Sequence, residues 1–97
     1  MTRWVVVFND TPGMLDHRKQ FGREHIAYLE KHSKRILSGG GLRAAPEAPF
    51  CGGLWIVEAP THHDVVELVT NDPYFNPSHR RFEIFAWGKA IDKEVLI

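Results

Sequence analysis

Two residues of this 97-residue chain have the type and the setting for proton chemistry. His25 lies in the stretch Glu-His-Ile-Ala-Tyr-Leu, near the middle of an apolar stripe between Phe21 and Leu29. An imidazole there must satisfy its nitrogens, because a buried unpaired polar group costs on the order of 1–3 kcal/mol. Asp72 lies in Val-Thr-Asn-Asp-Pro-Tyr-Phe, residues 69–75, locked in front of a proline. A carboxylate that fixes one imidazole nitrogen sets the tautomer and stabilises the imidazolium, leaving the other nitrogen free for proton transfer. That is the logic of a catalytic triad without its nucleophile. Two plainer readings stand beside it: the histidine bonds a backbone carbonyl and merely packs, and Asp-Pro is turn punctuation.

The elements around these residues decide whether they can meet. Residues 3–8, Arg-Trp-Val-Val-Val-Phe, are β-branched and aromatic and predict a strand, which Asn9-Asp10-Thr11-Pro12-Gly13 breaks. From Leu15 to Leu37 the pattern is helical: Phe21, His25, Leu29, His32 and Ile36 follow at spacings of three and four, with Tyr28 flanking them. Ser38-Gly39-Gly40-Gly41 stops that helix, and a weaker strand is expected near Gly40–Ala45. Gly53–Ala59 predicts another strand. A second helix opens at Thr61, with Asp64 three residues on as a capping partner and Val65, Val66, Leu68 and Val69 on its buried side. Arg81–Trp87 is the last strand.

Strand, helix, strand, strand, helix, strand is the ferredoxin-like α+β order. It implies a four-stranded antiparallel sheet with both helices on one face, in a single domain spanning residues 1–97. Trp4, Val6 and Phe8 alternate with Val5 and Val7, Leu54 and Ile56 with Trp55 and Val57, and Phe82 and Ile84 with Phe85 and Trp87. Both faces of the sheet are thus apolar, while two helices cover only one. The other exceeds the several hundred Å² of apolar patch that monomers usually expose, so a homodimer through the open face is expected. A sheet curled over a cavity within one chain is the competing arrangement.

Composition narrows the partners. Lys plus Arg equals Asp plus Glu at 12 each, which argues against nucleic acid. The basic clusters Lys31/Lys34/Arg35 and Arg80-Arg81 read as solvated edges. No apolar run reaches membrane-spanning length and no leader pattern opens the chain, so a cytoplasmic, membrane-free protein is expected. The lone Cys51 agrees with a reducing compartment and lacks an evident base. No metal is expected. His17, His32, His62, His63 and His79 lack metal-ligand spacing, and His25 and His32 stand about 10 Å apart along a helix. No cofactor motif is visible either: Gly39-Gly40-Gly41 and Gly52-Gly53 do not link a strand to a following helix.

The helical His-Ile-Ala-Tyr-Leu from His25, the Gly-rich Leu-Ser-Gly-Gly-Gly from Leu37, Asp72-Pro73-Tyr74 and the apolar first and last strands occur in the order of a known family. On these motifs the chain resembles the YciI-like (YCII-related) family of the dimeric α+β barrel superfamily, over nearly its whole length. The resemblance implies a His–Asp pair at the active site, at His25 and Asp72. It implies activity on small molecules, since one relative is a dehydrochlorinase of a chlorinated hydroxyquinol and the superfamily includes muconolactone isomerases and small monooxygenases. Many relatives carry an Arg one turn before the histidine, where this chain has Gly22; Arg23, or Arg80-Arg81, is the expected substitute for holding an anion. Tyr28, His32, Tyr74 and Phe75 are expected to wall the cleft.

The resulting expectation is a cofactor-independent enzyme performing elimination, isomerisation or lactone-type chemistry on a small cyclic or aromatic-acid-like compound. A dimer that binds or senses a small ligand in the same cleft without chemistry is the alternative. A plain dimerisation domain is the third.

Overall fold

The computed structural model describes residues 1–97. Its elements are β1 (Thr2–Asp10), α1 (Met14–Lys31), β2 (Ile36–Arg43), β3 (Phe50–Ala59), α2 (His62–Thr70) and β4 (Arg80–Ala86). All neighbouring strands are antiparallel, in the order β2-β3-β1-β4. This is the expected ferredoxin-like α+β fold.

Register sorts the side chains into two faces. Val6 lies opposite Trp55 and Ile84, and Phe8 opposite Gly53 and Phe82, so these residues share one face. Val6, Phe8, Trp55, Val57 and Ala59 join Val65, Leu68 and Val69 of α2 in the core. Each fully buried aliphatic side chain there contributes roughly 1.5–3 kcal/mol. Val5, Val7, Leu54 and Ile56 point the other way and are only half-buried, and Phe85 is exposed.

Helix α2 starts as the sequence dictates. Thr61 Oγ1 accepts from the Asp64 N–H at 3.2 Å, and the Thr61 N–H donates back to Asp64 Oδ2 at 3.2 Å, a reciprocal capping box. Helix α1 departs from expectation at its end: it stops at Lys31 rather than Leu37. The His32 N–H still bonds the Tyr28 carbonyl, but a turn follows and Ile36 enters β2 opposite Val57. Ile36 is buried, as helical phase also requires, so the apolar periodicity cannot distinguish the two conformations there. Strand pairing decides it. Strand β2 accordingly runs over Ile36–Arg43 instead of Gly40–Ala45.

No helix is long and apolar enough to cross a membrane.

Candidate functional site

Helix α1 and the connection between α2 and β4 meet at a buried His–Asp pair. His25 Nδ1 lies 2.7 Å from Asp72 Oδ1. The residues are 9% and 4% exposed, so neither is a surface contact. A carboxylate can only accept when ionised, so the pair places a proton on Nδ1. Asp72 Oδ1 also accepts the Tyr74 N–H at 3.1 Å, a local turn bond that spans Pro73, which has no N–H of its own. The Tyr74 ring lies flat on the His25 imidazole, with centroids 3.7 Å apart and planes 6° from parallel. Carboxylate and aromatic stack together hold the imidazole plane. Nε2 makes no hydrogen bond within the protein and is not sealed off from solvent.

His25 opens on a cavity of about 260 Å³ between α1 and the sheet, lined also by Phe8, Trp55, Phe50, Tyr74, Arg18, Arg80 and the glycines of β2. That volume sits just under the roughly 300–1,000 Å³ of common ligand pockets and suits a compound of one or two rings. Glycine at position 41 makes room for the Phe50 ring of the cavity wall, since a Cβ there would meet that ring at 2.5 Å. A larger cleft of about 650 Å³ lies on the opposite face beneath the C-terminal residues, lined by Ile56, Trp87, Ile91 and other chiefly apolar side chains. It holds Arg3, Lys89 and Lys93 but no acidic or imidazole side chain, so of these two only the smaller cavity carries a group for acid–base chemistry.

Two guanidiniums flank that cavity. Arg80 is only 8% exposed and donates to both oxygens of Asp10, from Nε at 2.8 Å and from Nη2 at 3.1 Å. Arg18 Nη2 donates to the Gly52 carbonyl at 2.7 Å and lies 3.4 Å from Asp10 Oδ2. Arg18 Nε is the one buried side-chain nitrogen or oxygen with no partner. That N–H is shielded from solvent, an unsatisfied donor inside the cluster, while the guanidinium lies over the Phe50 and Tyr74 rings. Two cations share one carboxylate here, so the Arg18–Arg80–Asp10 cluster carries a net positive charge.

The structure thus brings His25, Asp72 and Tyr74 together and places the other expected wall residues elsewhere. Tyr28 and His32 line a separate polar groove between α1 and α2, with their rings 4.4 Å apart. The Tyr28 hydroxyl donates to the Leu68 carbonyl at 2.6 Å, and its pKa is pushed up to about 12, first by burial and then by the charge of Asp72. Phe75 is exposed, and Arg23 sits on the solvent side of α1 with no polar partner; neither lines the cavity. Arg80 is no solvated edge, whereas its neighbour Arg81 is exposed. The cause is strand alternation, which turns Arg80 inward toward Asp10.

Arg18 and Asp10 are the residues that the sequence reading did not single out. Arg18 precedes His25 by seven residues, two helical turns, and so lies on nearly the same face of α1. That spacing was the available signal. Asp10 sits among turn residues, and only the fold reveals its cationic partners.

A family model described as the YCII-related domain matches residues 2–88. No curated protein sequence matches the chain. Among solved structures, 5-chloro-2-hydroxyhydroquinone dehydrochlorinase from Burkholderia phenoliruptrix, in complex with 2,5-dihydroxybenzoquinone, is similar, with 26% identity and a TM-score of 0.77. The alignment covers 89% of this chain and 93% of that one. With a family match that takes in both halves of the His–Asp pair and every strand and helix of the fold, the chain belongs to the YCII-related family.

Proposed function

We propose that this protein is a small-molecule enzyme in which His25 moves a proton and Asp72 orients it. The observation that carries this reading is the 2.7 Å contact between His25 Nδ1 and Asp72 Oδ1, with Nε2 left unpartnered beside a ring-sized cavity. Nε2 takes a proton from a hydroxyl or an acidic C–H of the bound compound. The negative charge that develops on a substrate oxygen is stabilised by the surplus positive charge of the Arg18–Arg80–Asp10 cluster that borders the cavity. The electron pair released either expels a leaving anion, as in elimination, or shifts a double bond, as in isomerisation. The imidazolium then returns its proton to the leaving group or to carbon.

The substrate class is a small cyclic compound with acidic oxygens. Phe50, Trp55 and Tyr74 supply flat apolar surface, and the guanidiniums supply donors for oxygen. The similar dehydrochlorinase, which acts on a chlorinated hydroxyhydroquinone and binds a dihydroxybenzoquinone, supports that class. The chain acts as a homodimer closed through the open face of the sheet, in keeping with the half-buried Val5, Val7, Leu54 and Ile56 and the exposed Phe85.

The test is to incubate the protein with hydroxylated and chlorinated hydroquinones and small lactones, following halide release and ring absorbance. Product formation that is lost in His25→Gln supports the enzyme. Compounds that raise the melting temperature without ever forming product, with affinity kept in His25→Gln, would instead make the protein a binding module.

A further inference from the structure

A second histidine grips the turn that carries Asp72. His17 lies eight residues before His25 on α1, about 80° around the helix and therefore outside the cavity stripe. Its Nε2 lies 2.8 Å from the Pro73 carbonyl oxygen, an acceptor only, so Nε2 carries the proton. Its Nδ1 lies 3.2 Å from Asn76 Nδ2, and Asn76 Oδ1 is already accepting the Ser78 N–H at 3.2 Å. The amide orientation is therefore fixed: Asn76 donates and His17 Nδ1 accepts. Every polar atom of His17 is satisfied in one tautomer, opposite to that of His25. The ring is held between Phe21, with centroids 4.5 Å apart, and the edge of Tyr74 at 6.2 Å.

We propose that His17 is a positioning residue for the His25–Asp72 pair, acting through the Pro73 carbonyl and Asn76. The inference rests on the acid–base reading of that pair and adds a role to it. Both bonds to the Asp72 carboxylate, from His25 and from the Tyr74 N–H, fall on Oδ1, and Pro73 offers no backbone donor of its own, so the carboxylate stays in place only if the turn behind it does. Pinning the carbonyl of the residue after Asp72 fixes the peptide on one side of the carboxylate. Asn76, further along the same segment, is anchored in turn, since its own carbonyl accepts the His79 and Arg80 N–H groups at 3.0 and 2.8 Å where β4 begins. Helix α1 thus holds the 72–78 segment at three points: His25 at the carboxylate, the Arg18 carbonyl, which accepts the Tyr74 hydroxyl at 3.4 Å, and His17 behind them.

Long-range 1H–15N spectra of the ¹⁵N-labelled full chain at mildly alkaline pH report the tautomer of each histidine. In the unsubstituted protein His17 is expected with the proton on Nε2 and His25 with the proton on Nδ1. His17→Phe keeps the packing against Phe21 and loses both hydrogen bonds. It is expected to lower the ratio of Nδ1–H to Nε2–H at His25 several-fold, and turnover with it, without raising KM in proportion. His17→Gln, which can donate to Pro73 and accept from Asn76, is expected to restore the ratio. An unchanged His25 tautomer in His17→Phe overturns the proposal. So does a His17→Gln as impaired as the phenylalanine variant, or a wild-type His17 protonated on Nδ1. Should His17→Phe not fold, the wild-type tautomers and the glutamine variant still decide. A wild-type His25 lacking the Nδ1 proton while His17 keeps its Nε2 proton would locate the failure in the His–Asp reading itself, and the positioning role would fall with it.

Discussion

Arg80 and Asp10 form a two-pronged ion pair at the start of β4 and the end of β1, with side chains 6% and 1% exposed. Asp10 also lies 3.4 Å from Arg18, so one carboxylate balances two guanidiniums that border the cavity. Removing one partner of a buried pair leaves the other charge uncompensated, which costs about 3–5 kcal/mol. Asp10→Asn is therefore expected to lower unfolding free energy by that order in urea titration. Arg81→Gln, one residue along and exposed, is expected to change it by no more than about 0.5 kcal/mol. Equal effects of the two substitutions would remove the pair from any structural role.

Asp72→Asn tests orientation separately from folding. Asparagine keeps the size of the side chain and can still accept the Tyr74 N–H, so the turn is expected to persist, with near-wild-type circular dichroism. It no longer dictates which nitrogen of His25 carries the proton. Turnover of a hydroquinone substrate is expected to fall by about 10²–10⁴, in line with the loss seen when the orienting carboxylate of a triad is amidated. Full activity in the variant would show that the carboxylate is not needed for proton transfer.

Arg18 makes a prediction about ligand charge. With Nη2 committed to the Gly52 carbonyl and the guanidinium lying over the Phe50 and Tyr74 rings, Arg18→Lys keeps the charge but not the planar fork. It is expected to weaken binding of an ionised dihydroxybenzoquinone by about tenfold or more, the equivalent of about 1.4 kcal/mol. A neutral ring of similar shape should lose much less. Calorimetry on both ligands checks this, and equal losses would place the anion elsewhere.

The dyad was legible in the sequence because each half broke a local rule. His25 interrupts an apolar stripe, and Asp72 is tied to a proline between apolar and aromatic neighbours. The element order and the Thr61–Asp64 cap were legible for the same local reasons. Arg80–Asp10 was not, because its two residues are seventy apart and each looks like an ordinary turn or edge residue alone. Tyr28 and His32 share a helical face with His25 in sequence, yet α2 packs beside them and draws the Tyr28 hydroxyl to Leu68. Spacing along one helix gives a face. Which neighbour that face meets is a tertiary fact.

Tyr28 provides a pH signature. Its folded-state pKa of about 12 lies above the ordinary 10.0, so the folded form holds the phenolic proton more tightly than the unfolded chain. The stabilisation is fully present below pH 10 and is lost as pH rises toward 12. Tyr28→Phe also removes the donor to Leu68, one of the last carbonyls of α2, costing about 1 kcal/mol at neutral pH. Denaturation at pH 8 through 12 should show a shallower alkaline decline for the variant than for wild type. Parallel curves would mean that Tyr28 titrates alike in both states.

The open face of the sheet makes the last prediction. Val5 pairs with Ile56 and Val7 with Leu54 on that face, Ile56 bordering the cleft beneath the C-terminal residues, and Phe85, opposite Val5 across the β1–β4 ladder, is 51% exposed. A standard interface buries roughly 1,200–2,000 Å² in total, and the face of a four-stranded sheet can supply such an area. Light scattering of the wild-type chain is expected to give about twice the 11.1 kDa chain mass. Phe85→Glu places a charge on the β4 side of that surface, and desolvating it without a partner costs several kcal/mol on association. The variant is expected to scatter as a folded monomer at micromolar concentration, with His25 still paired to Asp72 because both lie on the helix side. A wild-type chain that is monomeric at high concentration, or a Phe85→Glu variant that still dimerises, would mean that the apolar face is not the dimer interface.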